Sequence, residues 1–341
     1  MSTITKDPAR EPGAAQNGTN GSGSGDKAVA AARPAKDPRI TALKMFATSI
    51  TVFTTVGLWL LGFEDSYIQP IVAVLCAYAF DLTFEGLSAW QQRRKPAYAG
   101  GRRNLFHFLL PAHITGMSLA LLLYPADRIK PIIFAVAAAQ TSKYIFTIYI
   151  KGRKKHYLNP SNFGVTVTLL AFPSVGIAFP YQFTENISHN FVAWILPLIV
   201  LVAGTTLNVR LTKKWPLIIG WVGGFILQAL VRAAIFDQVL IAMLLPLTGL
   251  VFWLFTNYMI TDPGTTPIKP RNQVVFGFTT AILYGVITAA HIVFGIFYAL
   301  TIVCCLRAIV ICMPNWRAAL ASRLARSRAI APAVAESEMA S

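Results

Sequence analysis

Charge is scarce in this chain. Charged residues make up 13% of its 341 positions, about half the roughly 25% usual in soluble domains, which excludes an ordinary water-soluble globule. Acid is scarcer than base, with 14 Asp and Glu against 30 Lys and Arg. Cysteine is limited to Cys76, Cys304, Cys305 and Cys312, all in apolar segments and without Cys-x-x-Cys spacing. A zinc site, an iron–sulfur set and a disulfide framework are therefore not expected, and the four read as buried structural thiols. No histidine pair sits at ligand spacing, since His107 and His113 stand six positions apart; neither a metal nor a haem pair within one helix is expected. A phosphate-binding glycine loop and a nucleophile constellation are also missing, so no residue reads as catalytic. What remains is apolar. Hydrophobic residues make up 55% of the chain, and runs of about 20 of them recur from residue 42 to residue 313, the signature of a multi-span membrane protein.

The pattern predicts an all-α polytopic membrane protein with ten transmembrane helices. The spans fall roughly at 42–63, 67–90, 105–124, 131–150, 161–179, 190–208, 215–234, 238–258, 274–292 and 294–312. Alternate loops are strongly basic: Arg93, Arg94, Lys95, Arg102 and Arg103; Lys151, Arg153, Lys154 and Lys155; Arg210, Lys213 and Lys214; Lys269 and Arg271. The opposite loops carry Glu64, Asp65, Asp127 and Glu185 among their charges. Both termini then lie on the basic, cytoplasmic side. This topology accounts for the net charge of +16 without nucleic acid, and the partner it implies is the lipid bilayer. The chain opens without a cleavable signal-peptide pattern. Residues 1–38 are polar and low in complexity and read as a disordered cytoplasmic tail. Residues 39–316 form the membrane domain, and 317–341 a basic cytoplasmic tail, either solvated or lying on anionic headgroups. Five spans plus five would allow two inverted halves.

Ionisable groups at membrane depth are costly and tend to be functional. Asp81 and Glu85 share one face of span two. Glu85 lies about 12 Å in from the cytoplasmic end at ~1.5 Å per residue, and Lys143 in span four lies at the same depth. Lys143 with Asp81 or Glu85 makes a candidate intramembrane charge network, either a packing pair or a binding and proton-handling group. His113 in span three could approach the same layer. Arg307 is near enough to the end of span ten to snorkel.

Two polar, proline-containing motifs interrupt the apolar pattern: Asn159-Pro160-Ser161-Asn162-Phe163-Gly164 and Thr261-Asp262-Pro263-Gly264-Thr265-Thr266-Pro267. Polar non-helical backbone at membrane depth is tolerated only inside protein or along a wet cavity, so both are candidate site elements. Asn159 and Asn162 suit the cap of span five, with Pro160 in its first turn. Asp262 and Thr261 suit local backbone bonds, with Gly264 permitting a turn. Together with Lys143-Tyr144 upstream and Phe172-Pro173 at the end of span five, the first motif resembles the NqrB/RnfD family, the ten-span flavin-carrying subunits of bacterial sodium-pumping quinone reductases and Rnf complexes. The family's pattern is a membrane lysine, F-N-P-A, a glycine soon after, and a span ending in F-P. Its A-T-D-P-V-S-A motif resembles Ile260 to Thr266 here, and the resemblance extends over roughly residues 42–312. Within the family, the chain most resembles the enediyne-biosynthesis (UnbU) branch.

The resemblance implies a bacterial inner-membrane, electron-transporting subunit holding a flavin, FMN or riboflavin, non-covalently. Lys143, Asn159, Pro160, Asn162, Gly164, Thr261, Asp262, Thr265 and Thr266 are the cofactor-binding candidates it carries over. It also implies a redox partner subunit or biosynthetic enzymes as partners. One departure is clear. The family's Ser-Gly-Ala-Thr element, which carries a covalent FMN in the loop after span five, has no counterpart in residues 180–190, where Thr184 is the only threonine. Covalent flavin is not expected. The competing expectation is a transporter, or a self-resistance exporter or channel, on the same scaffold.

Overall fold

The computed structural model describes residues 38–59, 65–126, 128–150, 152–177 and 190–314. Residues 1–37 of the N-terminal tail, 180–189 of the loop after span five and the basic C-terminal tail singled out above lie outside them. The protein is mostly helical: α1 (Pro38–Trp59), α2 (Ile68–Gln91), α3 (Arg102–Leu122), α4 (Lys130–Ile145), α5 (Pro160–Ala171), α6 (Asn190–Leu207), α7 (Trp215–Phe236), α8 (Leu240–Leu244), α9 (Leu250–Leu254), α10 (Pro270–Ala289) and α11 (Gly295–Pro314). Six of these, α1, α2, α3, α7, α10 and α11, are long and apolar enough to cross a membrane. A seventh crossing results if Leu240–Thr248 and Val251–Met259, bent by 64° at Gly249, count as one broken span. The architecture is that of a multi-pass membrane protein.

Two predicted spans are shorter than expected. Helix α4 has 16 residues and α5 has 12, about 24 and 18 Å at 1.5 Å per residue, against a hydrocarbon core of about 30 Å. The stretch Thr147-Ile148-Tyr149-Ile150, read as the end of span four, is strand β2, paired antiparallel with β3 (Arg153–His156). β-Branched and aromatic residues favour the strand. Ile150 pairs with Arg153, leaving a two-residue connection in which Gly152 takes φ 74°, as tight hairpins require. A second, two-residue pairing joins β1 (Leu123–Tyr124) to β4 (Gly176–Ile177).

Helix directions follow from the contacts. Gln69 Nε2 donates to the Ala120 and Leu123 carbonyls at one end of α2 and α3, while Tyr78 OH meets His113 further along; these helices are antiparallel. Gly164 on α5 lies against the Ala135 carbonyl of α4, at 2.6 Å from where a Cβ would sit, so its lack of a side chain serves helix packing. Helices α7 and α10 run parallel: Gly220 lies against Val274, Gly277 against Leu217, Gly224 against Ala281 and Gly285 against Gln228. Small residues at this spacing let apolar helices approach without a hydrophobic driving force. Beside the glycine contacts, Trp221, Phe225, Phe252, Phe255 and Tyr284 pack edge to face, tilted and stacked at 4.9–6.2 Å.

Candidate functional site

Both motifs arrive at the same end of the bundle and join. Asn159 is the N-cap of α5: its Oδ1 accepts from the Asn162 N–H at 3.0 Å and from Ser161 Oγ at 3.0 Å. Pro160 opens the first turn, where no N–H is needed. The Asn159 amide then donates to the Met259 carbonyl at 3.0 Å, the same oxygen that accepts the Asp262 N–H at 3.3 Å. One carbonyl thus ties the two motifs together.

Downstream, Asp262 organises its own turn. Its Oδ1 accepts from the Gly264 N–H at 3.0 Å, its Oδ2 from Thr265 Oγ1 at 2.9 Å, and its carbonyl from Thr266 Oγ1 at 2.6 Å. Thr261 Oγ1 donates back to the Asn257 carbonyl at 2.7 Å. Asp262, Thr261, Thr265 and Thr266 therefore build the turn. Asn162 is not a second cap. Its Nδ2 crosses to α11, donating to the Phe297 carbonyl at 3.0 Å and to Thr301 Oγ1 at 2.8 Å, while its buried Oδ1 has no partner among the described residues.

Charged and titratable side chains gather near this joint. Lys143, half-buried, pairs with the buried Asp81 at 3.2 Å. Glu85, the other partner open to Lys143 in the sequence, turns to the loop instead: Arg94 grips it at 2.5 and 3.1 Å and the Ala97 N–H adds a bond at 2.7 Å. That pairing and the backbone bond hold the Glu85 carboxylate on the α2–α3 loop. His113 also leaves the layer, hydrogen-bonded between Thr51 Oγ1 at 2.7 Å and Tyr78 OH at 2.8 Å, as a histidine satisfied by packing. Arg307 does not snorkel outward. It bends to the Thr265 carbonyl at 2.6 Å, and Lys214 reaches the Pro267 carbonyl at 2.7 Å. His156, at the end of β3, packs against Gly264, where a Cβ would come within 3.2 Å of Nε2. Burial lowers the His156 pKa, with Asp262 opposing, so the imidazole is neutral at pH 7. The charge of Asp262 is felt by Lys143, His156 and Lys214 alike.

Several buried polar residues were not marked as site candidates by the sequence. Gln140 is fully buried, and neither end of its amide has a partner among the described residues. It precedes Lys143 by three positions, one turn deeper on the same helix face. Asn208 and Asn257 lie in two short π-helical stretches, Asn208–Thr212 and Phe255–Met259, a local form often found at functional sites. Asn208 Nδ2 donates to the Asn257 carbonyl at 2.8 Å, the oxygen that also accepts from Thr261. The available signals were an amide and two asparagines inside otherwise apolar runs, Lys214 directly abutting a span, and Arg307 several residues inside one.

The donor set suits a planar, anionic, imide-bearing cofactor in part. The Gln140 amide, unpartnered among the described residues, offers both a donor and an acceptor, and among those residues Lys214 and Arg307 each keep further N–H groups unengaged. Gly164 and the side chains of Thr261, Asp262, Thr265 and Thr266 are committed to packing and to the turn. No known protein-family model matches the chain, and no curated protein sequence matches it.

Proposed function

We propose that the chain is a membrane-embedded electron-transfer subunit that holds a flavin non-covalently where its two polar motifs join. One observation carries the reading. Motifs a hundred residues apart in the sequence share the Met259 carbonyl, and His156, Lys214 and Arg307 all meet the second of them. Lys214 and Arg307 would stand at the anionic end of the flavin and the Gln140 amide toward its ring, and the flavin when bound supplies one- and two-electron chemistry. Asn159 and Asp262 would fix the backbone around it, and the Lys143–Asp81 pair would keep the adjacent layer electrically balanced. In this reading the chain crosses a bacterial inner membrane ten times, with the motif end and both termini cytoplasmic, and serves enediyne biosynthesis beside a redox partner subunit. The test is the visible spectrum of detergent-purified protein, followed by acid precipitation. Near-stoichiometric flavin in the supernatant is expected. A colourless preparation that stays colourless after incubation with FMN and riboflavin would overturn the reading.

A second reading, a transporter or exporter of a small apolar molecule, is favoured by a different observation. A cavity of about 350 Å³ opens between α1, α3, α6 and the segment ending at Met259, lined by Ser49, Val52, Ser118, Ile199, Leu254 and Tyr258 among others. That volume is in the range of small-molecule sites. Its polar feature is the Ser49–Tyr258 hydroxyl pair at 2.8 Å. Flux of an apolar solute into proteoliposomes lacking any chromophore would place this reading first.

A further inference from the structure

The turn 261–267 is gripped by two cations that have no acid of their own. Lys214 is 4% exposed and Arg307 is partly buried. Each is held by one backbone carbonyl, of Pro267 and Thr265 respectively. A carbonyl accepts a hydrogen bond but cancels no charge. Among the described residues the ion pairs are Glu85–Arg94 and Lys143–Asp81, so neither cation is matched by a carboxylate. Asp262, the acid whose charge reaches Lys214, has both carboxylate oxygens engaged by Gly264 and Thr265. Among the described residues Lys143 is matched by Asp81, while Lys214 and Arg307 have no carboxylate of their own.

Keeping like charges out of water is costly unless an opposite charge joins them. The unused donors point the same way. An ammonium has three N–H groups and a guanidinium five, and one of each is occupied in the contacts above. A guanidinium fork beside a lysine point charge is a phosphate-binding combination. Surface lysines offer the same chemistry, but not buried, not anchored to one turn, and not from two separate helices.

We infer that Lys214 and Arg307 form a binding site for a phosphate monoester. Resting on the flavin reading above, this makes the cofactor FMN rather than riboflavin. The phosphate sits at the entrance of α7, held between that helix and α11 over the turn that joins the two motifs.

The test uses the full chain in detergent, stripped of flavin, titrated with FMN and with riboflavin by fluorescence quenching. It includes Lys214→Met, Arg307→Met and, as an exposed control, Lys155→Met. FMN should bind at least about tenfold more tightly than riboflavin, the scale of one charge-assisted contact. Each of the first two substitutions should erase that preference while leaving riboflavin affinity within about twofold. Inorganic phosphate, against chloride at matched ionic strength, should raise the unfolding midpoint of the wild type and not of Lys214→Met. Equal affinities for FMN and riboflavin would overturn the inference, as would equal losses of both in the variants, because the cations then only clamp the turn. Binding of neither flavin would sink the redox reading itself, and the phosphate response would then decide the anion site alone: present, it stands; absent, it falls.

Discussion

The α2–α4 contact and the α7–α10 contact both join apolar helices, by opposite means. Between α2 and α4 the bond is an ion pair, Asp81 with Lys143. Between α7 and α10 it is close helix approach at Gly220, Gly224, Gly277 and Gly285, with stacked aromatic rings beside it. Lipid gives no hydrophobic reward for bringing helices together, so packing and polar contacts must do it. The second pair needs no charge to achieve this. The charges of the first are therefore not required merely to hold helices side by side, which is why the site is placed at their end of the molecule.

The largest expected effect comes from breaking the glycine contact. Gly277→Leu would drive a side chain into the Leu217 carbonyl and the Trp221 backbone. The cost should exceed about 4 kcal/mol, read as loss of the monodisperse peak on size-exclusion chromatography. A normal peak would mean the two helices are free to separate. Breaking the ion pair should rank next. Lys143→Met leaves Asp81 buried and unpaired, at about 3–5 kcal/mol, and Asp81→Asn in the same chain should restore most of it. Restored stability without restored flavin content assigns Lys143 to binding. Restoration of both makes the pair structural.

A third effect is electrostatic. Burial, reinforced by the nearby Arg307 and opposed by Asp262, pushes the Lys214 ammonium down from 10.5 to about 8. The folded chain then holds fewer protons than the unfolded chain between about pH 8 and 10.5, so stability rises across that window. Affinity for phosphate should move the other way, falling by up to about tenfold per pH unit once Lys214 loses its proton. Titration with phosphate at pH 7 and 9 checks this, and an unchanged affinity would remove Lys214 from the site. Asp262→Asn should cost about 1 kcal/mol through the weakened turn and lower flavin content. Full occupancy would make the second motif a cap only. Gly223→Ala should be the mildest, within about 0.5 kcal/mol, because a Cβ there meets nothing within 4 Å. A large loss would show that α7 is packed on its other face as well.

Much of this was legible from local pattern. Apolar runs and their flanking basic loops located every long helix, and proline with asparagine marked the start of α5. The cap at Asn159 and the Asx turn at Asp262 could be read because each closes within a few residues. Where a β-branched run ended span four, hydropathy and strand propensity conflicted, and the hairpin prevailed.

The sequence by itself determined an apolar, helical, multi-pass chain with two polar interruptions, since burial in lipid and helix capping are local demands on composition and spacing. The tertiary structure alone decided which charges meet. Asp81 and Glu85 lie on one helix face, but the rotation of α2 against α4 gives Lys143 to Asp81, and the α2–α3 loop delivers Arg94 to Glu85. Lys214, Arg307 and His156 come to the joined motifs from three separate elements. Side-chain partners across helices depend on rotation, depth and loop path, which no periodicity along a single chain encodes.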